Sequence, residues 1–315
     1  MKLNPAALER LGFFYPSIFF LILSSQTLPI VFSPTLRYSK RVFVFQLVIS
    51  CIIFALGVCI GSFLHVLVYR TVEDKEDWKT GRSRCDHCSY IIKWYDNIPL
   101  LSFMLLGGKC RKCHKPIAIS HVAMEVMVGA LFVWWYWAGS VFFLLVDQPF
   151  TVLQPLFWLL IGTLSLVIFV ADMKYFIIPD WAVAIMALAT LVYRVVLVQG
   201  GIMQQSDFIS MLLASLGVGA FFWFLRLATK GKGMGFGDVK LAPVLALLVG
   251  WPQVLVALMV SVCSGALIGS LLLLLGKHKL KQPIPFGPFL LLGSAVALVW
   301  GDAIWGWYWT QLLGM

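Results

Sequence analysis

The stretch LAPVLALLVGWPQVLVALMVSVCSGALIGSLLLLL, Leu241 to Leu275, runs for 35 residues without a charge. As one α-helix it would be ~52 Å long, against a bilayer hydrocarbon core of ~30 Å. It must therefore break. Gly250-Trp251-Pro252 is the place, because glycine admits unusual backbone angles and proline lacks the N–H that a continuing helix needs. The half before the break holds only ten residues, so it reaches span length only if the residues just before Leu241 also enter the membrane.

Working outward, apolar stretches of span length recur at Val42–Tyr69, Val122–Val146, Thr151–Ala171, Trp181–Gly200, Phe208–Leu225 and Phe286–Leu313. With the two halves of the long stretch they make about eight core spans, and an all-α polytopic membrane protein. An extra N-terminal span is open at Leu11–Leu36, 26 charge-free residues that also hold Pro16, Ser24, Ser25, Gln26 and Pro29. That stretch is too long for a cleavable signal peptide and lacks a clear small-residue cleavage site. Composition agrees with a lipid solvent: 61% of the 315 residues are hydrophobic and only 12% charged, with a mean hydropathy of +0.91. One soluble core cannot absorb that excess, which excludes a soluble domain and a disordered chain. The spans are apolar all round, without the alternation of a β-barrel strand.

The net charge of +10 would suggest nucleic acid on a soluble protein. Here its distribution decides otherwise. With the Arg70 end of the first span in the cytoplasm, the loops on that side hold 18 Lys and Arg, and the loops near Asp147, Gln204 and Pro252 hold none. That is the positive-inside pattern, with anionic lipid as the natural partner and no nucleic acid. Arg37, Lys40 and Arg41 run against it. The expected organisation is an N-terminal extension (1–41), a first core span (42–69), a polar cytoplasmic domain (70–121) and a transmembrane domain (122–315). No internal repeat is apparent.

Three of the seven cysteines, Cys51, Cys59 and Cys263, sit in apolar stretches. The other four form two C-x-x-C pairs, Cys85/Cys88 and Cys110/Cys113, separated by 21 residues. Two such pairs in a polar segment of about fifty residues are the pattern of a structural, tetrahedral Zn2+ site, and so short a segment needs a staple to fold. A cytoplasmic position argues against disulfides.

Two acids fall at the edges of predicted spans. Asp172 directly follows an apolar stretch, and Asp238 closes Gly235-Phe236-Gly237-Asp238 just ahead of the short half-span. A carboxylate at that depth is costly and hence a functional candidate. Brought together, two carboxylates share one proton, which is how aspartyl proteases activate water. Other charged residues have plainer readings. Asp180 caps the next helix, Glu125 pairs with an interfacial Lys or Arg, Asp302 is a packing polar group and Arg194 snorkels to the outer face.

Taken together the motifs resemble the bacterial type IV prepilin leader peptidases, membrane aspartyl proteases of the G-x-G-D type. The resemblance runs from about Gly61 to Pro288. It rests on Gly61-Ser62-Phe63-Leu64, Trp94 to Ser102, Gly108-Lys109-Cys110, Asp172 with Ile178-Pro179-Asp180, Gly235 to Lys240, and Pro285-Phe286-Gly287-Pro288. It implies an inner-membrane enzyme that cuts the basic leader from prepilins and related pseudopilins at the cytoplasmic face. Asp172 and Asp238 match the catalytic pair. It also implies N-methylation of the new N-terminal residue, usually phenylalanine, with S-adenosylmethionine. The cysteine segment is associated with that second step, and Gly108 matches a position linked to it. The sequence departs from the family at His65, where asparagine is usual, at Asp86, and over Ile119 to Met124, where a basic-aromatic-proline run is usual. A protease without the methyltransferase, and a proton-coupled transporter using the same acids, are the alternatives.

Overall fold

The computed structural model describes residues 40–72, 83–85, 87–142, 149–231, 233–275 and 284–312. Nine α-helices account for most of them: α1 (Lys40–Val72), the short α2 (Leu101–Leu105), α3 (Ile119–Phe142), α4 (Phe150–Tyr175), α5 (Asp180–Gln199), α6 (Gln205–Ala228), α7 (Phe236–Val249), α8 (Gln253–Leu274) and α9 (Gly287–Trp307). No β-strand longer than an isolated bridge occurs among the described residues. Seven of these helices are long and apolar enough to cross a membrane, and α7 is not among them. The protein is a multi-pass membrane protein of the all-α class. The N-terminal stretch 11–36 lies outside the described residues.

The chain forms two compact units, residues 38–179 and 180–315. In the first, α1 and α3 run antiparallel in very close contact. A Cβ added at Gly57 would lie 2.9 Å from the Cα of Gly129, and one at Gly61 would lie 3.1 Å from the Cα of Glu125. Small residues thus set the register, Gly57 opposite Gly129 and Gly61 opposite Glu125, as they do wherever lipid offers no hydrophobic drive for helix association. Further along the same seam Tyr136 Oη donates to Gln46 Oε1 (2.8 Å) and Trp137 Nε1 to Ser50 Oγ (3.1 Å). Helix α4 joins through Trp135 Nε1, which donates to the carbonyl of Pro155 at 2.9 Å.

The second unit is built around α7. Ten of its fourteen residues are buried, as its all-round apolar sequence requires. At 1.5 Å per residue it is ~21 Å long, short of a full span. The long charge-free stretch breaks where expected: Gly250, at φ 87, ends α7, and a cis Trp251–Pro252 bond precedes α8. The last carbonyls of α7 have no helical partners. Gly250 N–H serves the carbonyl of Ala246 (2.8 Å), and Arg194 Nη2 on α5 serves that of Leu248 (2.6 Å). Arg194 therefore does not snorkel outward. It is 6% exposed and places a cation at the negative end of a helix that stops inside the apolar unit. Lower on α7, Ser215 Oγ donates to the carbonyl of Pro243 (2.7 Å) and Lys240 pairs with Asp180. Gln253 on α8 binds Asp302 on α9, the packing role expected for that acid.

Arg194→Met strips the Leu248 carbonyl of its donor inside the unit. The cost should be about 1–3 kcal/mol, the penalty for an unsatisfied buried acceptor. Thermal unfolding in detergent micelles should show a lowered midpoint, with Arg194→Lys intermediate. An unchanged midpoint for Arg194→Met would remove this role.

Candidate functional site

The four paired cysteines converge as expected. All four Sγ atoms lie within 4.8 Å of one another, with Cys85 Sγ and Cys113 Sγ 3.8 Å apart. No disulfide joins them. The cluster could hold one metal ion.

Each pair sits on the same backbone turn, repeated 25 residues later. Cys85 N–H bonds the Tyr90 carbonyl (3.0 Å) and Cys110 N–H that of Lys115 (2.9 Å). Ser89 N–H returns to the Cys85 carbonyl (2.9 Å) and His114 N–H to that of Cys110 (3.0 Å). Ser89 and His114 both take left-handed angles, φ 53 and 56. Ile92 N–H closes on Ser83 and Ile117 N–H on Gly108, each at 2.8 Å. Antiparallel bridges Arg84–Ile91 and Lys109–Pro116 flank the two turns. This is a structural repeat, where the sequence reading finds none. Beyond the cysteines, only the isoleucine at its end coincides by residue type between Ser83–Ile92 and Gly108–Ile117.

Amide hydrogens point at the thiols and shape their acidity. The backbone N–H groups of Cys113 and Lys112 bring Cys110 down to about 7. Cys88 has the Tyr90 N–H in its favour, yet burial and the three other thiols outweigh it and push Cys88 up to about 11. A set whose protons are so unevenly held suits a cation that replaces them.

Two polar links tie this segment down. Arg111 grips Asp96 in a fork, with Nε to Oδ2 at 2.8 Å and Nη2 to Oδ1 at 2.6 Å, joining the second turn to the 3-10 turn Trp94–Asn97. That hydrogen bond holds the Asp96 carboxyl below its ordinary value. Glu125 Oε2 on α3 accepts the N–H of Leu100 (2.9 Å), a non-glycine residue at φ 58. Glu125 thus holds a strained loop backbone, where an interfacial Lys or Arg was the expected partner.

Between this segment and the facing ends of α1 and α3 lies a cavity of about 540 Å³. His65, Tyr69, Arg70, Phe103, His121 and Glu125 are among its lining residues. Gly108, at φ 70, is not on the wall. A Cβ there would meet the ring of Phe103, a lining residue, at 3.0 Å.

The two candidate acids belong to different units. In the first unit, Asp172 lies in the last turn of α4, 5% exposed, where its carbonyl accepts the Phe176 N–H that caps the helix (2.9 Å). In the second, Asp238 lies in the first turn of α7, 8% exposed. A Cβ on Gly235 would sit 3.2 Å from Asp238 Oδ2, so the carboxylate folds back over a residue that must be small. The Phe236 ring is held between the Arg226 guanidinium (5.1 Å) and the Lys240 ammonium (4.8 Å). Arg226 Nη1 also donates to the carbonyl of Met234 (3.1 Å). This aromatic clamp around Asp238 escaped the sequence reading. Its one signal is an arginine ten residues before a Phe-x-x-x-Lys spacing, which any helix end could show.

Comparison with known proteins closes the picture. The profile of the bacterial peptidase A24 N-terminal domain matches residues 55–139, and that of the type IV leader peptidase family matches residues 158–270. A prepilin leader peptidase/N-methyltransferase of Aeromonas hydrophila is 30% identical over 287 residues, covering 83% of this chain and 94% of that protein. The protein of the same name from Pseudomonas aeruginosa is 29% identical, covering 79% and 89%. That from Legionella pneumophila is 28% identical, covering 80% and 91%. No solved structure matches.

Arg111→Ala should let a chelator strip a metal loaded into the cysteine cluster faster, by a few-fold at most, because one partner of the fork is exposed and screened. Metal release followed with a chromogenic chelator measures this. A rate equal to wild type would make the Arg111–Asp96 fork irrelevant to the cysteine site.

Proposed function

The chain belongs to the type IV leader peptidase family, and from that premise we propose that it cuts the leader from prepilins and pseudopilins and methylates the amine so exposed. The observation that carries this is the alignment with a bifunctional relative over 94% of that protein's length. A transporter finds no support in these relatives.

Asp172 and Asp238 are the catalytic pair in this reading. Their burial at helix ends supports it, since each acid is kept at a costly depth. The ionised carboxylate takes a proton from water as the oxygen attacks the scissile carbonyl, and the protonated one gives its proton to the carbonyl oxygen. As the tetrahedral intermediate collapses, the acid that took the proton from water gives it to the departing nitrogen, the C–N bond breaks to free the amine, and the other acid recovers its proton from the carbonyl oxygen. The Phe236 clamp and Gly235 fix the backbone from which Asp238 acts.

The cysteine cluster binds Zn2+ as four thiolates. Zn–S bonds of ~2.3 Å in a tetrahedron separate the sulfurs by ~3.8 Å, and Cys85 and Cys113 stand at 3.8 Å. With all four thiolates engaged, such an ion would be structural and would tie the two turns together. S-adenosylmethionine is the methyl donor, supplying a methyl group on a sulfonium. The 540 Å³ cavity fits such a cofactor, being within the usual ~300–1,000 Å³ of small-molecule sites. Tyr69 and Phe103 offer aromatic faces, Arg70 a cation and Glu125 an anion. The ten basic residues between Arg70 and Lys115 support the reading that this segment, and the cut, lie on the cytoplasmic side of the bacterial inner membrane, against anionic lipid.

Asp172→Asn and Asp238→Asn should each reduce leader cleavage by several orders of magnitude while the protein still inserts. Near wild-type cleavage by either would remove that acid from the mechanism. Elemental analysis should find about one zinc per chain, lost in Cys110→Ser. Mass spectrometry of processed pilin should show an N-terminus heavier by one methyl. An unmodified N-terminus with donor present leaves a protease alone.

A further inference from the structure

Leu100 holds a backbone conformation that leucine rarely adopts. Its φ is 58 and its ψ −47. Leu101 N–H closes on the carbonyl of Pro99 at 2.6 Å, two residues earlier in the chain. Together these make a γ-turn of positive φ, a rare and strained form. A residue other than glycine stays there only where its surroundings hold it. Here the hold comes from α3, where Glu125 Oε2 accepts the Leu100 N–H at 2.9 Å. Glu125 is 8% exposed, and the packing of α1 fixes its backbone. A Cβ at Gly61 would lie 3.1 Å from the Glu125 Cα. One turn further in the same register His65 meets His121, with ring centroids 4.0 Å apart.

The turn at Leu100 starts a wall of the cavity. Pro99, Leu100, Ser102, Phe103 and Leu106 line it, as does Glu125. The turn opens α2, whose five residues are too few to persist as a helix by themselves. Met104 N–H bonds the Leu100 carbonyl (3.0 Å), Leu106 N–H that of Ser102 (2.9 Å) and Gly108 N–H that of Phe103 (2.9 Å). The Gly108 carbonyl then takes the Ile117 N–H at the close of the second cysteine turn. A hydrogen-bonded run thus leads from Leu100 to the cysteine site, and the Glu125 carboxylate ties its start to a membrane helix.

We propose that Glu125 is a positioning residue for methyl transfer: its carboxylate holds the γ-turn at Leu100, and with it the wall from Pro99 to Leu106, in the shape that binds the methyl donor. The proposal rests on the methyltransferase reading. Strained backbone is kept where a ligand has to be gripped, because relaxing it would cost the grip. Without the carboxylate, Leu100 returns to negative φ and the chain enters α2 in another direction. Phe103 then leaves its place against Gly108. Direct contact between Glu125 and the donor is the rival role, and glycine separates the two. Glycine takes positive φ readily, so placed at position 100 it keeps the turn with no carboxylate to hold it.

The test uses the full-length enzyme in detergent micelles with S-adenosylhomocysteine as the probe. Binding is read by calorimetry, and backbone order without ligand by amide hydrogen exchange. Glu125→Ala should weaken binding roughly 30-fold, the scale of a lost hydrogen bond to a charged group. It should also speed exchange at the amides of Leu101 to Leu106. The KM for S-adenosylmethionine, measured on already cleaved pilin, should rise by the same factor. Glu125→Gln keeps an oxygen acceptor and should bind within about threefold of wild type. Leu100→Gly added to Glu125→Ala should bring binding and exchange back to within about fivefold of wild type. Should Glu125→Ala fail to fold, Glu125→Met takes its place, being similar in length and lacking the acceptor. Unchanged binding or unchanged exchange in Glu125→Ala would overturn the proposal. So would a glutamine variant as weak as alanine, or a loss that Leu100→Gly does not reverse. In each of those cases a wild type that binds the probe and methylates pilin leaves the methyltransferase reading standing. A wild type that cleaves but neither binds the probe nor methylates overturns both.

Discussion

A helix that ends inside an apolar surrounding must find partners for its last carbonyls, and in this protein that requirement falls on α7. Water would satisfy them at a surface, and here Leu248, Val249 and Gly250 are buried. The solution combines a glycine at φ 87, whose N–H folds back, with an arginine reaching over from α5. Because that end is fixed, so is the other. Asp238 occupies the first turn of the same rigid rod, and the rod is further tied by Ser215 and Lys240. An acid that must hold its position to act is better placed on such an element than on a loop. The short helix fixes Asp238 at its first turn and is too short for a full membrane crossing.

Much of this was legible in the sequence, because the bilayer imposes a coarse rule that residue type alone can follow. Long charge-free runs became long helices, and the one run too long for a span broke at its glycine and proline. The cysteine cluster was legible for a similar reason: two C-x-x-C pairs leave few other chemistries. Arg194 was misread because its run says only that it lies near a span's end. Whether it faces lipid or a neighbouring helix depends on a partner fifty-four residues away. Glu125 was misread likewise, since its partner is a backbone amide and not a charge.

The repeated turn around the cysteines was hidden for a different reason. Its signature lies in backbone hydrogen bonds and in left-handed angles at Ser89 and His114, and neither residue type demands such an angle. A metal held there would require only that two sulfurs project from each turn, which leaves almost everything else in the ten residues free to vary. The contact of His65 with His121 was hidden because it depends on glycines. Gly57, Gly61 and Gly129 look unremarkable singly, and only their joint register across two helices brings the imidazoles together.

The two reactions make opposite demands on one nitrogen. During cleavage the scissile amide nitrogen becomes a leaving amine and must gain protons, a task for acids. During methylation the same nitrogen must lose one, a task for a base whose free form predominates at neutral pH. One acid–base pair cannot be optimal for both, because a carboxylate basic enough for the second step would be a poorer partner for activating water in the first. A chain that performs both steps is better served by two sets of groups with different chemistry. In the proposed reading Asp172 and Asp238 serve the first step, and the second falls to other groups. Such a division also fits the order of events, since the amine to be methylated exists only after cleavage.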